Sequence, residues 1–134
     1  MFLDPSDVES YRVIAWQQWS LGQDAPAIRT LRRGIAAAPC SPDAHFELGF
    51  HYMNTDRYAL AEAPLRKAVE LGGDHLIRQQ YAHCLERLGR LDESLEQWSK
   101  VLALRPDDAA ARRNYDRVKG LIDANAAGKS EAEH

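Results

Sequence analysis

Counting back 33 residues from Gly89 reaches Asp56, and a further 34 reaches Gly22. The same skeleton follows each of these turn positions. A small residue stands five places on (Ala27, Ala61, Ser94), then a bulky apolar one four later (Leu31, Leu65, Trp98). A small or β-branched residue follows three later (Gly34, Ala68, Val101), and the unit closes on Pro39, Gly73 or Pro106. Within the third copy, Leu91, Leu95, Trp98, Val101, Leu102 and Leu104 recur in the three-and-four rhythm of an amphipathic helix. Self-similarity at a fixed period of this length requires an array of stacked units, none of which buries its apolar face alone.

The segment before each turn carries a second, looser pattern: Leu48, Gly49 and Tyr52; Tyr81, Ala82 and Leu85; Tyr11, Ile14, Ala15 and Gln18. With the first pattern, these residues make the chain resemble the tetratricopeptide repeat (TPR) family over about residues 8 to 107. The family's unit is about 34 residues folded as two antiparallel helices. The resemblance implies an all-α fold, an α-solenoid in which helix pairs wind into a right-handed superhelix, with seven helices here. His45 stands where the family prefers Trp.

The expected organisation is a lead-in (1–7), repeats at 8–41, 42–74 and 75–107, a capping helix (108–122) and a disordered tail (123–134). Asp7, Asp24, Ser41 and Asp74 offer N-cap chemistry, and Pro26 and Pro42 fall in first turns, where proline is tolerated. Pro64 is the anomaly: inside a helix expected over about Tyr58 to Leu71 it costs about 3 kcal/mol, so a kink or a late start is expected there. Ala, Gly, Ser, Lys and Glu from Asp123 onward read as disorder.

Composition limits the classes of function. The chain has 134 residues, enough for one domain with a continuous core. Its net charge of −3 lacks the basic excess of a nucleic-acid binder. No apolar run approaches the roughly 20 residues that span a bilayer, and the opening Met-Phe-Leu-Asp-Pro-Ser-Asp is too short and acidic for a secretory leader. Cys40 and Cys84 form no disulfide framework. The expected setting is cytoplasmic, unless these residues were cut from something longer.

In a solenoid the first helices of the pairs line the concave face, and the family places ligand contacts there. Carried onto this register, the resemblance implies a partner-binding groove of Arg12, Trp16 and Trp19; Phe46, Glu47, Phe50 and Met53; Gln79, Gln80, His83 and Arg87. Aromatics on a soluble surface mark interfaces; the alternative is that Trp16, Phe46 and Phe50 pack against the lead-in or one another. Some relatives clamp acidic chaperone tails with Lys and Asn. The matching positions here hold Arg12, Trp16, Glu47, Leu76 and Gln80, and Glu47 would repel a carboxylate. An apolar or amphipathic peptide fits better.

Catalysis finds no support in the sequence. The histidines do not form a close-spaced ligand set, and His45 falls at a packing position. His83-Cys84 lacks the matching pair a zinc site needs. No phosphate loop or nucleophile elbow occurs, so neither enzyme activity nor a metal or other cofactor is expected. The partner is another protein or peptide, and the function a protein-protein interaction module, whether adaptor, scaffold or co-chaperone. The alternative is a structural self-assembly module, a homodimer or larger, built through the aromatic face or the amino-terminal end.

Overall fold

Three turns with the same hydrogen-bond geometry set the chain's rhythm. At Gly22, Asp56 and Gly89 the backbone enters the left-handed region, with φ of 78°, 58° and 77°. The amide one residue later donates five residues back: Gln23 to Gln18 at 2.9 Å, Arg57 to Tyr52 at 2.8 Å, Arg90 to Leu85 at 2.8 Å. These are Schellman closures, which satisfy the last carbonyls of one helix and reverse the chain into the next. Glycine adopts this conformation freely; Asp56 is among the few other residue types that tolerate it.

The computed structural model describes residues 7–132, with side chains through 128. Among these residues there are seven helices: α1 (Val8–Ser20), α2 (Asp24–Ala37), α3 (Pro42–Asn54), α4 (Tyr58–Glu70), α5 (His75–Arg87), α6 (Leu91–Leu104) and α7 (Ala109–Ala132). The first helix of each pair is capped by a side chain. Asp7 accepts from the Ser10 amide, Ser41 from Ala44, and Asp74 from Leu76 and Ile77. Asp108 accepts from Ala111 in the same way at the start of α7. The second helices, preceded by Gln23, Arg57 and Arg90, have no side-chain cap and start directly from the left-handed turns.

Length alone predicts one domain, but the chain divides into two compact units, Met1–Gly73 and Asp74–His134. A repeat array has this property because each helix pair contacts only its neighbours in sequence. In the first unit α1 packs on α2 and α3 on α4, with α2 and α1 both against α3. Ala27, Leu31, Leu48, Tyr52, Ala61, Leu65 and Ala68 are buried there. Gly49 lets α3 approach α4: a Cβ at that position would stand 2.6 Å from Leu65 Cγ. In the second unit α6 packs on α5 and α7 on α6. Trp98, Ala82, Val101, Ala111 and Val118 form its core. Cys84 is fully buried on α5, and Cys40 is exposed in the loop after α2.

Three expectations are revised. Pro64 lies inside an unbroken α4 that begins at Tyr58, so a late start is not how the helix accommodates it. His45 is not core; its Nε2 meets the Pro39 carbonyl at 2.8 Å at the helix edge, and His51 is the buried histidine. Helix α7 does not stop at residue 122 but continues to Ala132. Its last ten residues are rich in alanine and contain no proline, a composition that favours helix wherever one is already nucleated. Of the expected lead-in, residues 1–6 lie outside the described residues, as do 133–134 of the tail.

Candidate functional site

Two helix faces in the first unit turn toward each other. On α1, Arg12, Trp16 and Trp19 follow at intervals of four and three; on α3, Glu47, His51 and Asn54 do the same. These spacings put each trio on one stripe of its helix. Together with Ala15, Leu31 and Phe50 they line a cleft of about 270 Å³. Trp16 is 61% exposed, and Trp19 and Phe50 are each 37% exposed. Phe46 joins from the rim by stacking on Phe50, with ring centroids 5.4 Å apart.

The cleft's polar groups are held from behind. His51 Nε2 lies 2.9 Å from Asp24 Oδ1, and Trp19 meets the imidazole edge-on at 6.1 Å. Arg57 donates to both Asp24 oxygens, at 3.0 and 2.6 Å, and its Nε donates to Thr55 at 2.9 Å. The Arg57 hydrogen bond holds the Asp24 carboxyl below its ordinary range, and His51 adds to the effect. Nearer the mouth, Arg12 makes a two-pronged ion pair with Glu9, with Nε donating at 3.0 Å. Glu47 has no hydrogen bond or ion pair among the described residues. Burial pushes its carboxyl up to about 7; Arg12 nearby opposes the rise, while Glu9 and Asp43 add to it.

The groove expected from sequence is thus partly assembled. Arg12, Trp16, Trp19, Glu47 and Phe50 come together, with Phe46 beside them. Met53 is half-buried and does not line the cleft. Ala15, Leu31, His51 and Asn54 complete it and are not among the residues expected there. The signal for the last two was available, because they fall four and seven residues after Glu47.

The remaining four expected residues belong to the second unit, on α5. Gln79 Nε2 donates to Asp108 at 3.4 Å, and Gln80 is half-buried. His83 packs edge-on against Trp98 at 5.0 Å, and burial keeps its imidazole below the usual pKa. With Arg87 it lines an open hollow beside the Glu86–Arg117 pair, in which Arg117 Nη2 donates at 2.7 Å. Among the described residues no group of three His, Cys, Asp or Glu could hold a metal ion, and no helix is long and apolar enough to cross a membrane.

No family model and no curated protein matches this sequence. Solved structures match it in fold. The first TPR domain of human RPAP3 aligns with a TM-score of 0.77 at 18% identity, covering 92% of this chain and 98% of that one. The second TPR domain of human RPAP3, solved in complex with the HSP70 peptide SGPTIEEVD, aligns with a TM-score of 0.74 at 23% identity. There the coverage is 87% of this chain and 98% of the other. TTC0263, a thermophilic TPR protein of Thermus thermophilus, aligns with a TM-score of 0.64 at 28% identity, over 83% of this chain and 59% of that one.

Proposed function

We propose that this chain, folded as a tetratricopeptide-repeat array, is a protein-interaction module that seats an amphipathic peptide segment of another protein in the α1–α3 cleft. One observation carries the reading. Trp16, Trp19 and Phe50 all present solvent-exposed ring surface to the same cleft of a single unit. Large aromatics gathered in a concavity are the usual anchors of binding energy at protein interfaces, because they bury much area and lose little entropy. The similarity in fold to a human domain holding an HSP70 peptide supports a peptide as the occupant.

The chemistry of the cleft argues against a peptide as acidic as SGPTIEEVD. Glu47 stands in it unpaired, and Arg12, the cation beside it, is already engaged by Glu9. A carboxylate entering here would meet the Glu47 carboxyl with no uncommitted cation to receive it. The fitting ligand therefore has apolar side chains for the aromatic faces and no excess of acid. A role as a co-chaperone would require a chaperone segment of that kind rather than an acidic tail.

The test is selection of short random-sequence peptides on the full chain, followed by titration watched through tryptophan fluorescence. Selected peptides should shift the emission, and Trp16→Ala should weaken them by roughly tenfold or more while leaving the circular dichroism unchanged. Peptides whose affinity ignores both Trp16→Ala and Phe50→Glu would place the binding elsewhere. Light scattering over a concentration series runs alongside. A dimer split by Phe50→Glu would mean that a second copy fills the cleft.

A further inference from the structure

We infer that the α1–α3 cleft is selective for a basic side chain, a lysine or arginine of the bound segment, seated against Trp16 and Trp19 and paired with Glu47. The inference rests on the peptide-cleft reading above and says which peptides the cleft takes.

Three observations converge on it. First, Glu47 is a half-buried carboxylate with no hydrogen bond or ion pair among the described residues, in a cleft otherwise lined largely by aromatic and aliphatic carbon. A carboxyl taken from water without a partner is costly, and a cation delivered to it removes that cost. Second, the native cation that could serve is committed elsewhere, because Arg12 uses its Nε and a terminal nitrogen on Glu9. Third, indole faces are the best aromatic platforms for ammonium and guanidinium groups. Two of them lie in the cleft, Trp16 largely exposed and Trp19 partly so.

The charges that face Glu47 sum to a negative site. From α1 come Arg12 and Glu9, which offset each other, and from α3 comes Asp43. His51 shares the cleft wall and is tied to Asp24, whose charge is met by Arg57. Arg12, the cation among these that acts on Glu47 directly, is paired with Glu9, and the two carboxylates Glu9 and Asp43 stand against it. The carboxyl of Glu47, raised to about 7 by burial, carries a proton on a good fraction of molecules near neutrality. An arriving cation favours the ionised form, so binding near neutral pH should release that proton to solvent.

The experiment uses the peptides selected on the full chain. Selection should enrich lysine and arginine. Calorimetry should then show the best peptide losing roughly tenfold in affinity when its basic residue becomes norleucine. Glu47→Gln should reduce that difference to about twofold or less, with the circular dichroism unchanged. Affinity for the basic peptide should fall as pH drops from about 8 to about 6, and the norleucine peptide should not follow it. Heats measured in buffers of different ionisation enthalpy should report the released proton.

The failures separate. Peptides that bind in a Trp16-dependent way with no preference for the basic residue would overturn this inference and leave the cleft reading standing. Enrichment of acidic peptides would overturn it as well. No Trp16-dependent peptide at all would remove both.

Discussion

Leu65 Cγ lies 2.6 Å from where a Cβ would stand on Gly49, and Leu65 is itself fully buried. The approach of α3 to α4 is therefore set by the absence of one methyl group. In an exposed helix interior, glycine to alanine stabilises by about 1 kcal/mol. At Gly49 the clash opposes that gain with about 1–3 kcal/mol of overpacking.

A glycine series tests this contrast by chemical denaturation. Gly49→Ala should destabilise. Gly34→Ala, whose new methyl would sit 3.2 Å from Tyr11 Cβ, should be close to neutral. Gly120→Ala on α7, with nothing within 4 Å, should stabilise by up to about 1 kcal/mol. A Gly49→Ala midpoint at or above wild type would show that the helices move apart without cost.

The turns offer a second comparison. Gly22→Ala and Gly89→Ala put a Cβ into the left-handed region and should each cost about 1–2 kcal/mol. Asp56→Gly makes the opposite change at the equivalent turn, and loses a bond from the Tyr58 hydroxyl of 2.9 Å at the surface. It should be neutral or stabilise by less than about 1 kcal/mol. Thermal melts of the three variants decide whether these turns carry the same strain.

Glu47 gives the pH prediction. Its folded value, about 7, lies above its ordinary 4.5, so within that window the folded chain holds a proton that the unfolded chain has released. Stability should then fall as pH rises through the window and level off above it. Asp24 and Glu86, both lowered, act in the opposite sense: their contribution is present above the ordinary carboxylate range and is lost on acidification. Glu47→Gln keeps those two contributions and removes the first. The variant should gain on wild type progressively between about pH 4.5 and 7 in denaturant midpoints, whereas parallel curves would mean that Glu47 is not perturbed.

Asp24 and Arg57 stand 33 residues apart in sequence and join α2 to the turn before α4. Both side chains are partly exposed, so their coupling should be modest, about 1 kcal/mol in a double-mutant cycle of Asp24→Asn and Arg57→Ala. The His51 imidazole should report the loss of Asp24 in its nuclear magnetic resonance shifts. An unmoved imidazole would show that Asp24 does not orient it.

The repeat was legible because its constraints are steric and local. Gly49, Ala61 and Ala82 must be small, Leu65 and Trp98 must fill, and Gly22, Asp56 and Gly89 must turn. Each requirement shows in residue type. The cleft was legible only in part. On α3 the run Phe46, Glu47, Phe50, Met53 marks one stripe, and Glu47, His51, Asn54 marks another rotated from it. Which stripe faces α1 depends on how the helices are packed about each other, and residue spacing does not encode that. The end of α7 was misread because a composition poor in apolar residues argues against a core, not against a helix that grows from one.

The two thiols sit at opposite extremes of exposure, Cys40 open to solvent and Cys84 sealed inside α5. They therefore make an unlabelled chain its own stopwatch. A thiol-modifying reagent should consume Cys40 first, because it stands in solvent, which calibrates each sample. Cys84 should react only in the intervals when α5 exposes it. The ratio of the two rates gives the fraction of time that helix stands open, without denaturant or added probe.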